Sequence, residues 1–165
     1  MRRPNKATAR VFAVETRFQK MAKRNGGVSR DRAIEQAQAK IEEAKPGFDQ
    51  WFKAELAKLK SLIECAEAGN AEQGWIEKAN FQSRQLRDSA TPLGFELLAF
   101  IANSLCEILD AIEAGGECQM ESITCHLDAL VLAAQKSYYR LRPEQVPELS
   151  DGLRRLAKHV GAQPA

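Results

Sequence analysis

A chain of 165 residues is long enough for one domain and a tail, and a hydrophobic content of 44% supplies one sizeable core. Ala, Leu, Glu, Lys and Gln dominate and only 7% is aromatic, which favours helices, while no apolar run approaches the ~20 residues of a membrane span. The net charge of +2 divides unevenly: residues 1–24 carry eight basic side chains and one acid, the rest is net −5, and an acidic body argues against nucleic-acid binding, which needs a dense basic face.

The basic segment comes first. Val11, Val14, Phe18 and Met21 recur at helical spacing, so this stretch reads as a basic amphipathic helix able to dock on a partner or an acidic membrane surface. Residues 1–28 are otherwise expected to form a largely flexible tail, closed by Asn25-Gly26-Gly27. Residues 29–165 are expected to form a single helical domain. Ser29 is a good N-cap for a helix through about Glu43. Its apolar stripe is thin (Ala33, Ala37, Ile41), which predicts a peripheral helix, and Pro46-Gly47 is expected to break or kink it.

Four longer segments follow. The spacing of Phe48, Phe52, Leu56, Leu59 and Ile63 predicts a helix over 48–68, and Gly69 is placed to end it. Ile76, Ala79, Ser83, Leu86 and Ala90 give a second, over 72–89, with small residues that admit a close neighbour. The most hydrophobic stretch, 95–114, carries Leu98, Ile101, Leu105, Ile108, Leu109 and Ile112 and ends at Gly115-Gly116. Ile123, Leu127, Leu130 and Ala134 predict a helix over 119–140, and Leu149, Leu153, Leu156 and Val160 a last one over 147–160. Long helices joined by short loops pack as antiparallel neighbours. The expected fold is all-α: an antiparallel four-helix bundle over about 48–140, with peripheral N- and C-terminal helices.

Chemistry-bearing residues are few. Cys65, Cys106, Cys118 and Cys125 form no Cys-x-x-Cys pair, which suggests a reducing cytoplasm and buried thiols. Cys118, Cys125 and His126 lack zinc-ligand spacing, no Glu-x-x-His repeat is present, and no glycine loop suits a phosphate. No metal or cofactor is therefore expected. Glu42-Glu43, Glu64/Glu67 and Glu72/Glu77 alternate with lysines and read as solvated faces. His126 reads as a hydrogen-bonded core histidine, and His159 as a cation in a last helical turn.

One stretch carries a resemblance. Leu86-Arg87-Asp88-Ser89-Ala90, then Gly94, then Glu107-Ile108-Leu109 through Glu113-Ala114-Gly115-Gly116, is similar to histidine-containing phosphotransfer (Hpt) domains. Their pattern is His-x-Leu-Lys-Gly, small residues, and a glycine starting the next helix. Ile123, His126, Leu127, Ala129 and Leu130 resemble the family's closing helix. The likeness spans about 48–140, and with the basic tail the chain looks like small accessory Hpt-like proteins of bacterial chemotaxis clusters. The phospho-accepting histidine falls at Arg84, which has no lone pair to offer and stays protonated. The family's lysine falls at Arg87 and its glycine at Asp88. The resemblance thus implies a non-catalytic interaction protein, binding a response-regulator receiver domain or a histidine kinase through Arg84, Arg87 and Asp88 without accepting phosphate. Arg84 and Arg87 are expected to lie exposed on one helix face as a positive patch, with Asp88 able to pair with Arg84. Two alternatives are phosphotransfer through His126 and an adaptor that docks through residues 1–24.

Overall fold

The computed structural model describes residues 27–161. Among them the protein is all-helical. There are five α-helices, α1 (Arg30–Glu67), α2 (Trp75–Ala90), α3 (Glu96–Glu113), α4 (Met120–Ala133) and α5 (Pro147–Gly161), with a 3-10 turn at Pro143–Gln145 before the last. No helix among the described residues is long and apolar enough to cross a membrane. The stripe of Val11, Val14, Phe18 and Met21 lies outside the described residues.

The chain divides into two units, residues 1–38 and 39–165. The division expected from composition, at 28, falls just before α1 begins. In the first unit every described residue is exposed. The second unit holds the core.

Pro46 does not end the first helix. Helical structure runs uninterrupted from 30 to 67 with Pro46 inside it, so the two helices expected on either side are one. A proline removes one backbone donor and crowds the preceding turn. Here the turns after it are fixed by burial: Phe48, Phe52, Leu56, Leu59 and Ile63 are all in the core. Burying five large apolar side chains, at ~1.5–3 kcal/mol each, outweighs the ~3 kcal/mol penalty of an internal proline.

α3 is the central element of the 39–165 unit, packed against α2, α4 and α5. Its Leu98, Ile101, Leu105, Ile108 and Leu109 are fully or almost fully buried, as are Leu127 and Leu130 of α4. α5 lies across α3, with the Arg154 guanidinium 4.9 Å from the centre of the Phe100 ring. The α2–α3 turn is tight because Gly94 takes φ 77°, a left-handed conformation that favours glycine. The Phe95 amide can then donate back to Ala90 O at 3.2 Å, a Schellman closure.

α4 stops at Ala133, well short of the helix expected to 140. Successive short turns follow, with the Tyr138 amide donating to Gln135 O and Leu141 to Tyr138 O. Ser137, Tyr138 and Tyr139 are weak helix formers, and Tyr139 has better uses outside a helix. Its hydroxyl donates to the Asp49 carboxylate and its ring packs on Phe95, with centroids 4.9 Å apart. Phe95 in turn stacks on Phe48 at 4.8 Å. This aromatic stack ties α1 to the start of α3 and to the chain after α4.

Candidate docking face on α2 and α3

The inward side of α2 is built from small groups. Ala79, Ser83, Leu86 and Ala90 are buried, and the Ser83 hydroxyl is satisfied within the helix by donating to Ala79 O at 2.8 Å. Small side chains let α3 approach closely, and the seam between the two helices is polar. Asn80, only 3% exposed, donates from Nδ2 to Asp110 Oδ1 at 2.6 Å and to Glu113 Oε1 at 3.0 Å. Arg84 donates from Nε to Asn80 Oδ1 at 3.1 Å and from Nη2 to Asp110 Oδ1 at 2.5 Å. One turn on, Arg87 donates from Nη1 to Asn103 Oδ1 at 3.3 Å and from Nε to Asp88 Oδ1 at 2.8 Å. Asn103 Nδ2 reaches Glu107 Oε1 at 2.8 Å. Numbers rise along α2 as they fall along α3, so the two helices are antiparallel.

These contacts set the electrostatics. The Asn80 amide and then Arg84 hold the Asp110 carboxyl below its ordinary range, against an opposing desolvation effect. Asp110 raises Arg84 further, and Asp88 does the same for Arg87. Cys106, 2% exposed, feels both arginines, yet burial pushes its thiol up to about 11. It is no nucleophile at neutral pH.

The arginines sit on the expected helix but not in the expected field. The Arg84 side chain is 49% exposed and Arg87 30%. Both are already paired, and the surrounding carboxylates (Asp88, Glu107, Asp110, Glu113) outnumber them, so the seam is not a positive patch. Asp88 pairs with Arg87, not Arg84. The outer surface of α2 carries Phe81, Arg84, Gln85 and Asp88, all exposed at i, i+3, i+4 and i+7. Phe81 is 62% exposed.

His126 is in a different environment. It is fully buried on α4. Its Nδ1 lies 2.7 Å from Ser122 O, and a carbonyl only accepts, so Nδ1 carries the proton. Nε2 is then the acceptor for the Ser104 hydroxyl at 2.9 Å. Burial depresses its pKa, against the raising effect of the Ser122 carbonyl. The lone pair that would attack a phosphoryl group is occupied and shielded by α3. His159 is exposed in the last turn of α5.

Cys65, Cys118 and Cys125 are exposed and only Cys106 is buried, which corrects the expectation of buried thiols. They lie at helix ends or on outward faces, where apolar neighbours in sequence do not imply burial. The sequence reading also missed Phe81, Asn80, Asp110 and Glu113. A signal was present for three of them: an Asn beside the inward stripe of α2 is a poor helix former with a structural job, and Asp110 and Glu113 interrupt the most apolar helix at i, i+3. No family model, no curated protein and no solved structure matches this chain.

Proposed function

We propose that the chain is a non-catalytic signalling interaction protein, an Hpt-like antiparallel four-helix bundle that docks a receiver domain, or its histidine kinase, without accepting phosphate. The bundle reading is supported by neighbour relations: α1 forms one groove with α2 and another with α4, and α3 packs on both α2 and α4.

The observation that carries the functional reading is Arg84. It stands at the middle of α2, where the resemblance puts the phospho-accepting histidine, half exposed and held by Asp110 and Asn80. Phe81 is exposed one turn away. Arginine and aromatic side chains dominate the energetics of protein interfaces. A guanidinium fits the acidic phosphorylation pocket of a receiver and pairs with carboxylates in a planar, directional way. Having no lone pair, it binds there without chemistry.

The test is calorimetric titration of the full chain with isolated receiver domains, with and without a beryllofluoride acyl-phosphate mimic. Wild type is expected to bind, and Arg84→Ala/Arg87→Ala and Phe81→Ala are each expected to weaken binding about tenfold or more, equal to ~1.4 kcal/mol. Equal binding by the variants, or no binding by wild type, overturns the reading. So does acid-labile label on the chain after incubation with an active histidine kinase and labelled ATP.

A further inference from the structure

The side of the 39–165 unit formed by α1 and α4 has the opposite character to the α2–α3 seam. A groove of about 390 Å³ runs between these two helices, floored by Leu56, Ala57, Val131 and Ala134. Three lysines rim it, Lys53, Lys60 and Lys136, with no carboxylate in its lining. Lys136 also lines a second cleft of about 980 Å³ at the start of α3, with Lys45, Arg140 and Arg142. That cleft does hold Glu42 and Glu96, paired with Lys45 and Arg142. Six of the fourteen Lys and Arg side chains of a unit that is net −5 thus line two adjoining depressions.

These cations are available. Lys136 and Arg140 make no ion pair among the described residues, though Lys136 is within electrostatic range of Asp49. Lys53 pairs with Asp49 at 3.0 Å and Lys60 with Glu64 at 3.6 Å, both at the surface, where a pair is worth only ~0–1 kcal/mol and exchanges readily. Val131, in the floor, is 38% exposed.

We infer that the α1–α4 groove is a docking site for an acidic amphipathic helix of a partner protein. An apolar trough between two helices suits the ridge of a third. Lys53 and Lys60 lie seven residues apart on α1, a rise of ~10.5 Å, which matches carboxylates two turns apart on a helix laid alongside. A nucleic acid would gain nothing from the apolar floor and would be repelled by the rest of the unit. A bilayer, being flat, would not fill a trough. This surface is separate from the Arg84 face, so the two readings stand or fall independently.

The probe is a designed helical peptide of about 18 residues with a leucine stripe at i, i+3, i+4 and i+7 flanked by glutamates, together with a scrambled peptide of equal composition. Binding to the full chain is followed by fluorescence anisotropy and amide shifts. The amphipathic peptide is expected to bind, with shifts concentrated at residues 53–60 and 131–136 and affinity falling as salt is raised to about 0.3 M. Lys53→Glu/Lys136→Glu and Val131→Asp, all surface changes checked by circular dichroism, are each expected to weaken it about tenfold. The scrambled peptide should bind about tenfold more weakly. No binding, equal binding of the scrambled peptide, indifference to the variants, or shifts located on α2 and α3 would each overturn the inference. Binding to phosphatidylglycerol vesicles without binding to the peptide would replace it with a membrane-surface reading.

Discussion

Acidifying the medium should destabilise this protein through His126 at a higher pH than through Asp49 or Asp110. The ring is fully buried and neutral, with Nδ1–H given to Ser122 O and Nε2 accepting from Ser104. Burial lowers its pKa in the fold, whereas in the unfolded chain it titrates near its ordinary value of about 6.5. As pH falls below that value the unfolded state takes up a proton that the folded state refuses, so stability drops. The loss grows until the folded pKa is reached and then stops, at a slope that cannot exceed ~1.4 kcal/mol per pH unit for one proton. Asp49 and Asp110 are held below their ordinary values in the fold, so their contributions are lost only below about pH 4, a separate window. Urea unfolding of wild type and His126→Gln across pH 8 to 5 isolates the effect, because the two chains differ in no other ionisable group. The variant is expected to be ~1–3 kcal/mol less stable at neutral pH, having lost a buried hydrogen-bonded group, and the gap should narrow as pH falls. Parallel curves, or a His126 imidazole that titrates near 6.5 by NMR, would refute the buried neutral ring.

Two further expectations concern packing. Leu105→Ala empties a fully buried site on the central helix and should cost ~2–5 kcal/mol in urea unfolding; a change under ~1 kcal/mol would mean that α3 is not the core element. Asn80→Ala removes two hydrogen bonds to carboxylates and one acceptor for Arg84, and should cost ~1–3 kcal/mol, held to the lower end by the partial exposure of the seam. Its signature is salt dependence: the variant leaves Asp110 and Glu113 repelling one another, so added salt should recover part of the loss. A loss that salt does not change would argue for simple cavity formation.

The parts of the fold that were legible in the sequence are those where one physical term dominates. The stripes of α3 and α5 are dense enough that apolar periodicity alone places them, and the helix ends at Gly69 and Gly115 follow from the turn chemistry of glycine. The errors arose where two terms compete. Pro46 signals a break locally, but five buried side chains beyond it keep the helix going. The apolar period of α4 runs on to Tyr138, yet Tyr139 gains more from Asp49 and Phe95 than from continuing the helix. Arg84 and Arg87 could be placed on one helix, but their charge environment depends on Asp110, Glu107 and Asn103. Those residues lie on another helix, and only tertiary register brings them together.

That register is the clue to why a polar seam runs along the α2–α3 contact. A network of two Asn, two Arg and several carboxylates stabilises less than well-packed leucines would, so stability alone does not explain it. It does specify alignment. Sliding α3 by one turn toward its C-terminus would set Asn80 opposite Cys106, a weak partner in place of two carboxylates, and would strand Arg84 from Asp110. The same contacts fix the Arg84 guanidinium before any partner arrives, on a side chain that would otherwise lose considerable rotamer freedom on binding. A pre-set arginine beside an exposed aromatic is an economical anchor for association. One set of hydrogen bonds thus both aligns α2 with α3 and readies the residue on which the proposed docking depends.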